Sequence, residues 1–133
     1  MLFRSMPAST WNGKLMGLGN GAMAGSISYA SMAAALARGY AASSTDTGHE
    51  GKNNDGSYAL GHREKVIDFG YRAVHEMTVD AKLIIAAHYG RAPAFSYWSG
   101  CSTGGRQALT EAQRFPANYN GIIAGAPANF LTH

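Results

Sequence analysis

The stretch Tyr97-Trp98-Ser99-Gly100-Cys101-Ser102-Thr103-Gly104-Gly105-Arg106 constrains this chain more than any other feature. It places Gly-x-Ser-x-Gly at Gly100, Ser102 and Gly104. As a bare pattern this is weak in a chain with 17 glycines, because chance alone produces it occasionally. Its context is stronger. Ala94 to Trp98 reads as a strand leading in, and Thr103 to Phe115 as a helix leading out, stopped by Pro116. A strand, a turn too tight for flanking side chains, and a helix are what a nucleophile elbow requires.

Such an elbow projects the Ser102 hydroxyl at the C-terminal edge of a sheet, beside a helix N-terminus. Unpaired N–H groups and the helix dipole there favour developing negative charge. The N–H of Thr103 is the first candidate oxyanion donor. The second is expected from the turn Gly17-Leu18-Gly19-Asn20-Gly21-Ala22-Met23-Ala24-Gly25, at Gly21 or Ala22, where small residues admit a substrate carbonyl. Two rival readings stand beside these. Ser102 could simply cap the following helix. The glycine cluster could be a dinucleotide phosphate loop, with Asp46 as the nearest acidic ribose partner.

A serine nucleophile needs a histidine base and an acid to orient it. After Ser102 the chain offers only Glu111 and His133. Glu111 lies nine residues further along the same helix, roughly 13 Å away along its axis. His133 is the last residue. Asp46, His49, Asp68, His75 and His88 precede the serine and sit on segments with ordinary structural readings, His75 as a helical packing residue. The triad is therefore read as incomplete.

The rest of the chain alternates strand and helix. Lys14–Leu18 reads as a strand. Gly25 to Arg38 reads as a helix, with Ile27, Ala30, Ala34 and Ala37 near helical spacing and Gly39 as its C-terminal stop. Tyr40–Ser44 reads as a strand and residues 45–62 as a polar loop. Helix resumes at Arg63, with Val66, Gly70, Ala73 and Met77 on one face. A second helical piece is expected over Ala81–Tyr89, although Leu83-Ile84-Ile85 also fits a short strand. Gly121–Ala124 is the last strand. The expectation is an α/β fold of about four mostly parallel strands with flanking helices, and with two exposed sheet edges. In the final helix Ala108, Leu109, Ala112 and Phe115 make the apolar face.

Composition excludes several functions. Charged residues are 14% and the net charge is +3 without any basic run, which argues against nucleic acid or an anionic membrane as a partner. No apolar stretch approaches the length of a bilayer span. Met1 to Pro7 has neither the charged start nor the apolar block of a signal peptide. Cys101 is the single cysteine, so it is a buried free thiol or half of a bridge to something outside the chain.

Several motifs, in order along nearly the whole chain, resemble the tannase and feruloyl esterase family. They are Trp11-Asn12-Gly13-Lys14, Gly19-Asn20-Gly21, Thr45-Asp46-Thr47-Gly48-His49, Gly100-Cys101-Ser102-Thr103-Gly104-Gly105-Arg106-Gln107, Gln113-Arg114-Phe115-Pro116 and Gly125-Ala126-Pro127-Ala128. The resemblance implies a partial α/β-hydrolase fold with Ser102 as nucleophile and Gly100, Gly104 and Gly105 shaping the elbow. It implies ester substrates of gallic, ferulic or similar aromatic acids, with relatives that cleave a terephthalate monoester, and a secreted or periplasmic location. It pairs Cys101 with a cysteine beside the catalytic histidine, outside these residues. Family members are several times longer and carry a lid, often with a calcium ion, around which the acid and histidine lie. The expectation is thus a fragment with no cofactor of its own, inactive when isolated, and of open oligomeric state. The alternative from another class is a non-catalytic binding module on the same fold.

Overall fold

A computed structural model describes residues 1–51 and 54–129. Its centre is a five-stranded sheet: β1 (Leu2–Arg4), β2 (Lys14–Leu18), β3 (Ala41–Ser44), β4 (Phe95–Cys101) and β5 (Gly121–Gly125). The spatial order is β1-β3-β2-β4-β5. The pairs β2–β3, β2–β4 and β4–β5 are parallel, whereas β1 runs antiparallel to β3, with Phe3 opposite Ser43. The sheet thus has one strand more than the sequence suggests. Three residues are too short for an alternating pattern, and only pairing with β3, far along the chain, makes them a strand. That pairing occupies one of the two edges expected to be open.

The helices are α1 (Tyr29–Ala37), α2 (Arg63–Ile67), α3 (Ala73–Tyr89) and α4 (Thr103–Arg114), with a π-turn over Asp68–Arg72 joining α2 to α3. Alternation along each strand divides the core between two faces. On one face α3 and α4 bury Trp11, Leu15, Ala41, Ala81 and Ile85, and beside them Val74, Met77, Trp98, Ala108 and Tyr119. On the other, α1 sets Met32 and Ala35 against Leu18 and Ala42.

Three expected helix faces shift. In α1 the buried residues are Met32 and Ala35, while Ala30, Ala34 and Ala37 are exposed. The π-turn adds a residue to one turn, so spacing counted across it slips around the axis. Val66 is consequently 50% exposed, and the buried row of α3 is Val74, Met77, Thr78, Ala81 and Ile85. Leu83-Ile84-Ile85 is helical within α3, which ends at Gly90 in the left-handed conformation, φ 70°. In α4 Leu109 and Ala112 face solvent, and the polar Gln107 and Glu111 lie inside.

Candidate active site

The chain leaves β2 toward β3 by way of α1 on one face, and leaves β4 toward β5 by way of α4 on the other. Connections diverging from two adjacent parallel strands open a crevice at their C-terminal ends, where α/β proteins bind ligands. Gly19–Ala22 follows β2 there and Ser102 follows β4.

Ser102 is exposed and adopts φ 59°, ψ −117° between β4 and α4, a conformation rare for any residue with a Cβ. Three backbone hydrogen bonds hold it. Its N–H donates to the Gly125 carbonyl (3.0 Å), and its carbonyl accepts from Arg106 (3.0 Å) and Ala128 (2.9 Å). Among the described residues its hydroxyl has no hydrogen-bond partner, and it makes no side-chain cap to α4, so the capping alternative is not what the geometry shows.

The flanking glycines answer to different neighbours. A Cβ on Gly100 would lie 2.4 Å from the Gly104 carbonyl oxygen, and one on Gly105 would lie 2.5 Å from that of Gly125. Gly104 faces the other turn, where a Cβ on Gly19 would come within 2.6 Å of the Gly104 Cα.

The structure brings both candidate oxyanion elements together. The Gly104 N–H donates to the Asn20 carbonyl (2.8 Å), and the Thr103 hydroxyl donates to that of Ala22 (2.5 Å). The latter contact gives Thr103 a side-chain role that its sequence position did not suggest. Among the described residues the N–H groups of Gly21, Ala22 and Thr103 find no acceptor. Ala22 itself turns through φ 46°. The dinucleotide alternative fits poorly, because a phosphate loop opens directly into a helix. Here α1 begins only at Tyr29, and the N-terminus of α4 packs against the turn instead.

The remaining candidates serve other ends. Asp46 accepts from the Gly48 N–H within its own turn, and Asp68 binds Arg72 at 2.6 Å. His49 is buried and stacked on Tyr58, with ring centroids 3.4 Å apart; His75 stacks on Phe115 at 3.8 Å; His88 meets Tyr89 edge-on. His133 lies outside the described residues. Glu111 is fully buried, and burial raises its carboxyl above the ordinary range. Among the described residues only one of its oxygens is bonded, to the Asn118 amide at 2.7 Å. Cys101 is free and exposed, so the buried-thiol alternative is corrected. Because β4 alternates, its side falls opposite the α3–α4 face. An open depression of about 580 Å³ runs along that side, between α1 and the strands, lined by Ser31, Ala34, Arg38, Tyr40, Cys101 and Ile123 among others. Ser102 is not among its lining residues.

A profile of the family described as tannase and feruloyl esterase matches residues 2–133. An uncharacterized esterase of Xanthomonas campestris is 43% identical over 96% of this chain and 22% of its own length. A mono(2-hydroxyethyl) terephthalate hydrolase of Piscinibacter sakaiensis is 38% identical over 94% of the chain and 23% of its own. The crystal structure of feruloyl esterase B from Aspergillus oryzae superposes with a TM-score of 0.86 at 40% identity, covering 90% of this chain and 24% of that one. The chain therefore spans less than a quarter of the length of the relatives it matches. Its fold is that of the α/β-hydrolases in this group, and the chain belongs to the tannase and feruloyl esterase family.

Proposed function

We propose that these residues supply the nucleophile and the oxyanion donors of a carboxylic-ester hydrolase. Its substrates are esters of gallic, ferulic or related aromatic acids, and it works through an acyl-serine intermediate. The observation that carries this reading is Ser102. Its hydroxyl, unpartnered among the described residues, stands on a strained strand-to-helix turn, and the next residues, Thr103 and Gly104, bond to a second turn whose Gly21 and Ala22 N–H groups find no acceptor there. The Ser102 oxygen attacks the ester carbonyl. The N–H of Thr103, with that of Gly21 or Ala22, holds the oxyanion as the tetrahedral intermediate forms and collapses. The alcohol leaves, and water later releases the acid.

In this reading the histidine that takes the serine proton and the acid behind it belong to the length of a family member that this chain does not span. Among the described residues no three His, Cys, Asp or Glu side chains converge as metal ligands. In this reading the calcium of the family lid goes with the lid, in the length of a family member that this chain does not span. Substrate choice and a secreted or periplasmic location rest on the family alone. No helix of the described residues is long and apolar enough to cross a membrane.

The test is 4-nitrophenyl acetate with the purified chain beside Ser102→Ala. Without a base, steady turnover should stay near background in both. An oxyanion hole alone retains some catalysis, so an acetyl group should accumulate on the Ser102 oxygen of the unmutated chain, read by fragment-ion mass spectrometry that separates it from acetyl on the adjacent Cys101 thiol. Acetylation that is equal in Ser102→Ala, or confined to other residues, would overturn the reading.

A further inference from the structure

Two turns distant in sequence carry the unpaired N–H groups, so something must fix their separation. Asn20 and Gln107, 87 residues apart, do so by a reciprocal pair of hydrogen bonds. The Asn20 N–H donates to Gln107 Oε1 (3.1 Å), and Gln107 Nε2 donates to Asn20 Oδ1 (2.9 Å). Asn20 spends its remaining capacity on the same neighbourhood. Its Nδ2 donates to the carbonyls of Ser26 (3.0 Å) and Thr45 (2.7 Å), and its own carbonyl accepts from the Gly104 N–H. Every donor and acceptor of this residue is thus engaged, at 5% exposure, and Gln107 is 2% exposed. Buried amides satisfied in this way hold one geometry, because any displacement strands several polar groups at once. Gln107 lies on α4 and Asn20 leads directly into Gly21 and Ala22. The pair therefore ties the helix that carries the Thr103 N–H to the turn that carries the others.

We infer that Asn20 and Gln107 are positioning residues. Their reciprocal amide bonds set the distance between the two oxyanion donors on either side of Ser102. Neither touches the reacting atoms; both act through the Gly21–Ala22 turn and the first turn of α4. The inference rests on the esterase reading above, and its experiment separates the two. Thr45, whose carbonyl receives the Asn20 amide, makes the Thr45–His49 turn a third anchor for the same clamp.

The test uses the 133-residue chain and Gln107→Leu, which keeps a comparable volume and removes both reciprocal bonds. Two quantities are read: amide hydrogen exchange at Gly104 and at Trp98, and the rate of Ser102 acetylation by 4-nitrophenyl acetate. The Gly104 N–H bonds to Asn20 and not to Gln107. Its exchange should nonetheless accelerate about tenfold or more in Gln107→Leu as the turn loosens, while that of Trp98 in the central strand holds. Acetylation should slow by about tenfold to a hundredfold, the scale on which misplacement near 1 Å acts. Gln107→Glu supplies a conservative rescue and a second variant if leucine prevents folding. Its carboxylate cannot donate to Asn20 Oδ1, but the protonated acid can, so Gly104 protection and acetylation should both recover as pH falls. Unchanged Gly104 exchange overturns the clamp. Loosened exchange with an unchanged acetylation rate overturns its positioning role. If the unmutated chain takes no acetyl at Ser102 yet Gly104 responds as described, the esterase reading falls and the clamp stands.

Discussion

Replacing Ser102 by glycine should make the protein more stable, and the size of the effect follows from the backbone. At φ 59°, ψ −117° the Ser102 Cβ is crowded by its own chain. Residues held in such sparsely populated regions cost about 1–3 kcal/mol. Glycine adopts the conformation freely, but it adds freedom to the unfolded chain worth about 0.5–1 kcal/mol. Nothing else is lost, because among the described residues the hydroxyl makes no hydrogen bond, and the three bonds at the Ser102 backbone do not depend on its side chain. Taking the middle of each range, the net expectation is about 1 kcal/mol of stabilisation for Ser102→Gly. Ser102→Ala keeps the Cβ and with it the strain, so it is the reference. Urea denaturation followed by circular dichroism should show a higher midpoint for the glycine variant at an unchanged slope. The thermal midpoint should rise by about 2–6 °C. A glycine variant no more stable than the alanine one would refute the idea that strain is stored at this position, and with it the structural argument for a nucleophile elbow.

Two further outcomes are expected. Burial raises the Glu111 carboxyl above its unfolded value of 4.5, against the opposing influence of Asn118, His75 and Lys82. Its contribution to stability is fully present below that unfolded value and is lost as pH rises through the folded one. Stability measured against Glu111→Gln should therefore decline as pH rises above the unfolded value of 4.5; a pH-independent difference would refute it. Cys101 is exposed and unpaired, so its thiol should react stoichiometrically with Ellman's reagent in the native protein, without denaturant. Protection until unfolding would place the thiol elsewhere.

Local patterns were legible. The elbow could be read because a strand, a tight glycine-flanked turn and a helix are contiguous, and Lys14–Leu18 has the bounds its residues suggest. Gly121–Ala124 extends by one residue in the structure, and β4 runs on from Trp98 to Cys101. Helix faces were less legible. In α1 nearly every side chain is small, and spacing picked out Ala34 where the structure buries Ala35. In α4 the interior side chains at Gln107 and Glu111 are polar, and a rule that buries apolar residues chose Leu109 and Ala112 in their place. The π-turn at Asp68–Arg72 carries no sequence signature and displaced the row read from Val66 onward. Arg106, inside the Gly-Cys-Ser-Thr-Gly-Gly-Arg block, donates to the Phe69 and Gly70 carbonyls of that turn (3.0 and 3.2 Å), a contact no spacing rule contains.

The sequence by itself determined the alternating α/β class, the Ser102 turn and the membership implied by its motifs. All three depend on residues near one another along the chain, where backbone sterics and periodicity act. Only the tertiary structure decided that Leu2–Arg4 is a strand and that Gly19 and Gly104 touch backbone to backbone. It alone decided that Asn20 and Gln107 lock the two turns together. Those features are pairings between distant segments, and they exist only once the core around Trp98 has brought β2, β4 and α4 into one place.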